Sequence, residues 1–206
     1  MFNLSYSSIL ISVSLMALVI YLHSASSTFF IKPKNIQNLL FIYLNISLAI
    51  WTFSFMLFFS SSDKNLAMIW FRIAAIGYCT YYAFALHFTL IVLMKGISYT
   101  NKVALGLVYL TCIPFIYLFF TNDLSFITLY TNRGLWFLAT SHMEPWYIMY
   151  LIVSVLPLLI TLYPCYNCVK KTVSKRTKKK YKIIFITQLI TQLLGVSSKY
   201  LRYATI

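Results

Sequence analysis

Two apolar runs, Ile36–Phe59 and Leu66–Met94, are parted only by the polar turn Ser60–Asn65. Each is longer than the roughly 20 residues that carry a helix across the ~30 Å hydrocarbon core of a bilayer. A chain that places such runs back to back has little choice of environment. Its natural unit is a hairpin of two membrane spans, and the remaining sequence reads as spans added to that hairpin. Composition agrees: 61% of the residues are hydrophobic and 10% charged, against about 25% charged in a soluble domain.

By length and flanking polarity the sequence predicts six spans, Leu4–Leu22, Ile36–Phe59, Leu66–Met94, Val103–Phe120, Trp146–Tyr166 and Ile183–Tyr203. The connections are 23–35, 60–65, 95–102, 121–145 and 167–182. Lipid offers no partner to a free backbone N–H or C=O, so open-ended spans must be helices. The ten-residue alternation of a membrane barrel is absent. The expected fold is therefore all-α, a single polytopic transmembrane helix bundle over 1–206. Connection 121–145 adds one exception. SFITLYT, Asn132-Arg133-Gly134 and LWFLAT read either as a small β-hairpin around a glycine-containing turn or as an irregular loop dipping into the headgroups. Residues 1–8 lack lysine and arginine, so the first segment is expected to stay as a span rather than leave as a signal peptide.

Charge sets the orientation. Of seventeen basic residues, twelve fall on the first, third and fifth connections: Lys32 and Lys34, Lys95 and Lys102, and eight within Lys170–Lys182. The other side holds Lys64, Arg72, Arg133, Lys199 and Arg202, together with all three acids, Asp63, Asp123 and Glu144. Positive connections stay inside, which puts the N-terminus of a multi-pass plasma-membrane protein outside. The net charge of +14 is thus a topology signal more than a nucleic-acid signal. The basic run Lys170–Lys182 either only fixes topology or also meets anionic lipid.

Reaction chemistry finds no foothold. Five glycines are too few and too scattered for a phosphate-binding loop, and no Ser, Cys or His nucleophile stands near a plausible base. Cys165-x-x-Cys168 has no second pair of ligands, and His23, His87 and His142 share no metal-ligand spacing. His142 and Glu144 supply two ligands at most. The expectation is no enzyme, no metal and no cofactor.

What remains is inside the membrane. Ala75, Cys79, Ala83 and His87 recur every four residues on the third span, a small-residue face that lets another helix approach. Tyr78, Tyr81 and Tyr82 lie beside it and either pack between helices or line a pocket for a small apolar ligand. His87 has no acid at membrane depth, which favours a neutral imidazole bonded to a neighbouring helix over a proton relay. Thr187, Gln188, Thr191 and Gln192 make a polar stripe on the sixth span that should face other helices.

The second and third spans also carry a recognisable pattern. Trp51 stands mid-helix, the turn Ser60–Lys64 follows, then Trp70, Arg72 and Gly77, and finally Phe88 and Thr89 near the inner end. With the long outer connection and Trp146-Tyr147, this resembles the N-terminal seven-helix sensor region of bacterial histidine kinases. The family's proline after the glycine is missing, with Tyr81 and Tyr82 in its place. The seventh helix and the output domain are missing as well. The resemblance implies a membrane-embedded sensor module in signal transduction, without catalytic output of its own and relying on a separate cytoplasmic signalling partner. It implies an unknown small ligand near Trp51, Tyr78 and Tyr82. A small transporter or channel subunit, or a truncated kinase fragment, is the alternative. Pro114, Pro157 and Pro164 leave room for the broken helices of a transporter.

Reporter fusions after Lys34, Lys64, Lys102, Thr131 and Lys175 should alternate inside, outside, inside, outside, inside. An outside signal at Lys175 would overturn the arrangement.

Overall fold

The computed structural model describes residues 6–33, 35–94, 99–121, 127–132 and 135–140, with the single positions Tyr166, Lys170, Lys179, Lys182 and Ile186. Four long helices come first: α1 (Tyr6–Phe29), α2 (Ile36–Ser60), α3 (Lys64–Met94) and α4 (Tyr99–Phe120). A two-stranded antiparallel hairpin follows, β1 (Ile127–Asn132) and β2 (Leu135–Thr140). Its register runs from Ile127↔Thr140 to Asn132↔Leu135. β2 approaches α2, and each helix packs chiefly on its neighbours in sequence.

Three segments, Ser8–Phe29, Ile36–Ser60 and Lys64–Val92, are long and apolar enough to cross a membrane. Of their apolar windows, 6%, 39% and 61% of residues are buried. α3 is therefore the centre of the bundle, and α1 lies on its rim. The third and fourth sequence-read spans correspond to α3 and α4. The fifth and sixth, and the polar stripe Thr187–Gln192, lie outside the described residues, apart from Tyr166 and Ile186.

Local chemistry explains the boundaries. Asp63 caps α3: its carboxylate accepts the backbone N–H of Asn65 (2.8 Å) and Leu66 (2.9 Å). A carboxylate there satisfies orphan N–H groups and suits the positive end of the helix dipole, so α3 starts two residues before its apolar run. Asn35 caps α2 in the same way through Asn38 N (2.8 Å). At the far end of α2 the Ser60 and Ser61 hydroxyls donate back to the Leu57 carbonyl. α1 corrects the sequence reading, which ended the first span at Leu22. No glycine or proline intervenes before Pro33, and Thr28 Oγ1 donates to Ser24 O at 2.8 Å. The helix therefore runs on through a serine-rich stretch in which Thr28 bonds the preceding turn of backbone and Ser27 meets the His23 ring (3.4 Å).

Within connection 167–182 the described positions are Lys170, Lys179 and Lys182, each helical and exposed; the rest of that connection lies outside the described residues.

The α2–α3 crossing holds the architecture. A Cβ added to Gly77 would stand 2.5 Å from Ser47 O and 2.6 Å from Trp51 N. The two backbones touch there, and only a residue without a side chain fits. Beside that contact Thr80 Oγ1 donates to Ser47 Oγ (3.0 Å) while also bonding Ile76 O (2.7 Å). Toward the α2–α3 turn, Phe58 and Ala67 are fully buried among Phe55, Phe59, Trp70 and Phe71.

Gly77→Ala should therefore cost about 1–3 kcal/mol, since backbone atoms cannot yield as a side-chain tip can. Gly106 on α4 has no atom within 4 Å of an added Cβ, so Gly106→Ala should leave stability unchanged or raise it. Unfolding of both variants in micelles tests the contrast.

Candidate functional site

Tyr78 adjoins Gly77 and Tyr81 and Tyr82 follow about one turn on, so the close crossing also sets where the aromatic rings meet. Trp51 is brought down over α3 by the contact of its own backbone with Gly77. Its ring stands edge-on to Tyr78 (centroids 5.2 Å) and tilted against Tyr81 (6.3 Å). Tyr78 and Tyr82, one turn apart, meet edge-to-face at 4.9 Å, and Tyr81 and Tyr82 at 5.3 Å. Edge-to-face geometry sets the positive ring edge on the negative face and adds about 0.5–1.5 kcal/mol per pair beyond area burial.

All three sequence-read ligand residues, Trp51, Tyr78 and Tyr82, thus sit in one cluster. The structure joins Tyr81 to them, and Leu48, Tyr21 and Met68 close it from α2, α1 and α3. Tyr78 is 8%, Tyr81 4% and Tyr82 7% exposed, whereas Trp51 is only partly buried. The rings fill the space between the helices, and Trp51 is the more exposed edge of the four-ring cluster. Tyr81 was visible in the sequence as part of the tyrosine run, but nothing in the spacing gave it a ring partner on α2.

The small-residue face does receive a helix, and that helix is α4. Ala75, Cys79 and Ala83 are buried, Ala83 completely. Cys112 Sγ on α4 donates to Cys79 O at 3.2 Å, and His87 Nδ1 lies 2.9 Å from the Tyr109 hydroxyl. The histidine has the neighbouring-helix partner its lack of an acid required. Tyr109 also meets Phe84 edge-on at 5.8 Å. Arg72 lies eight residues into α3 and is half-buried, about 22 Å along the helix from His87. Arg72 and His87 are therefore too far apart to form a joint site.

No group of three or more metal-ligating side chains occurs among the described residues. Cys165, Cys168, His142, Glu144, Trp146 and Tyr147 lie outside them. Cys79 and Cys112 are buried and are not joined in a disulfide.

Tyr109→Phe should destabilise the bundle by about 0.6–2 kcal/mol, the range for a hydrogen bond between membrane helices. Combined with His87→Leu, the loss should be smaller than the sum of the two single changes. Strict additivity in the double-mutant cycle would show that the 2.9 Å contact contributes nothing.

No protein-family pattern matches the chain, and no curated protein matches it. Its function must be argued from these residues and their geometry.

Proposed function

We propose that the chain is the membrane-embedded sensor module of a bacterial signal-transduction system. It senses a small apolar or amphiphilic ligand, or the state of the membrane, and passes a helix displacement to a separate cytoplasmic partner. One observation carries the reading. The aromatic cluster Trp51–Tyr78–Tyr81–Tyr82 lies where α2 crosses α3 and shares one core with Cys112 and Phe119 of α4. A ligand that moves the Trp51 ring acts on the core that α3 shares with α4. Because packed helices shift as units, such a change biases the α3–α4 contact without any loop to carry it. The sequence pattern around Trp51, Trp70, Arg72 and Gly77 supports the same reading by its resemblance to kinase sensor regions.

The partner would dock on the side holding residues 167–182, with the N-terminus outside. The competing reading, a small transporter or channel subunit, calls for a helix broken at membrane depth. α4 instead runs through Pro114 from Tyr99 to Phe120.

Thermal unfolding of the purified chain against a panel of small apolar and amphiphilic compounds tests the proposal. A ligand at a hundred times its dissociation constant stabilises by about 2.7 kcal/mol, which shifts a domain of this size by several degrees. Trp51→Phe and Tyr82→Phe should abolish the shift while keeping the unliganded midpoint near that of the parent. Absence of any stabilising compound, or solute flux through proteoliposomes containing the chain, would overturn the sensor in favour of the transporter.

A further inference from the structure

We infer that the membrane face holding the ends of α1 and α3 is a binding surface for anionic lipid headgroups. This rests on the topology that puts 167–182 on the same side as Lys32, and is independent of what the aromatic cluster senses.

The face lacks counter-charge. Connections 23–35, 95–102 and 167–182 contain no aspartate or glutamate, and after Glu144 the chain has none at all. The opposite face differs. At the α2–α3 turn Asp63 and Lys64 are adjacent and both exposed, so charge there cancels locally. Twelve basic residues with no carboxylate on their own side must find anions elsewhere.

The placement of the described side chains says what kind of anion. Lys32, Lys170 and Lys182 each have an exposed apolar group within four residues in sequence. Tyr166 (57% exposed) stands four residues before Lys170, and Ile186 (41%) four residues after Lys182. Lys179 and Lys182, three apart, share a helix face. At the end of α1, Phe30 (75%) and Ile31 (53%) precede the exposed Lys32, with Phe29 edge-on to Phe30 at 5.7 Å. An apolar group within four residues of a cation suits a boundary, with the ring or branched chain in the acyl region and the ammonium at the phosphate level. An acidic soluble protein would match the lysines but leave Phe30, Tyr166 and Ile186 in water. A lipid surface matches both.

The test uses the full chain in mixed bilayers containing spin-labelled phosphatidylglycerol or spin-labelled phosphatidylcholine, and reads the fraction of each lipid held at the protein. Phosphatidylglycerol should be retained several-fold in preference, with the preference falling as salt screens the charges. The triple variant Lys170→Gln, Lys179→Gln, Lys182→Gln should lose most of it, at up to about fivefold per charge. Lys32→Gln should lose part, and Lys64→Gln on the other face should keep it all. Circular dichroism and elution volume identify any variant that has misfolded, and the single Lys32→Gln change then stands as the deciding case. Equal retention of the two lipids overturns the inference, as does a Lys64→Gln loss equal to that of the triple variant. Binding of polyglutamate to the chain in phosphatidylcholine bilayers, without any phosphatidylglycerol preference, would also overturn it and point to an acidic protein.

Discussion

The missing side chain at Gly77 is the constraint on which this bundle depends. Between helices in lipid there is no hydrophobic gain, because acyl chains are as apolar as leucine; association must come from close packing and hydrogen bonds. At Gly77 the α3 backbone meets Ser47 O and the Trp51 backbone directly. That contact fixes the register of two helices of 25 and 31 residues, since sliding α3 by one residue would drive a Cβ into backbone. The neighbouring contacts inherit this register: Thr80 on Ser47, Trp51 on Tyr78, Phe53 on Trp70, Tyr43 on Phe84. They run the length of the hairpin as a ladder of aromatic pairs.

Polar groups in the bundle follow a division of labour. Most bond within their own helix, as Asn45 does to Phe41 O (2.8 Å) and Thr28 to Ser24 O. A few reach across: Ser47 with Thr80, Cys112 with the Cys79 carbonyl, His87 with Tyr109. The first kind costs little in lipid and specifies nothing about neighbours. The second kind identifies which helix goes where, and all three such bonds involve α3. Ser54 is an exception, fully buried with no hydrogen-bond partner for its hydroxyl among the described residues.

How much of this was legible beforehand follows from the kind of signal involved. Apolar length gave the helices, because the bilayer thickness is a fixed ruler, and the four-residue recurrence of Ala75, Cys79 and Ala83 gave a packing face. Sequence did not say which helix uses that face. Cys112 and Tyr109 sit in an apolar run with no distinguishing pattern, and only the fold reveals them as its partners. The end of α1 was misread for a related reason. Serine and threonine count as polar in a hydropathy reading, yet in a helix they satisfy their hydroxyls on the preceding turn and need no water. Trp51, Tyr78 and Tyr82 were proposed together through a family resemblance, and their meeting depends on the α2–α3 register that a single glycine sets.

The sparse burial of α1 bears on the order of events at birth. Ribosomal synthesis delivers this helix before α2, its main contact, and its apolar window is only 6% buried. Until α2 follows, that apolar surface has no hairpin to pack on. Its surface suits that interval: Val13, Met16, Val19 and Ile20 remain at least 59% exposed even in the finished bundle. α1 is thus a helix built to live in lipid, and it joins a hairpin that can close without it.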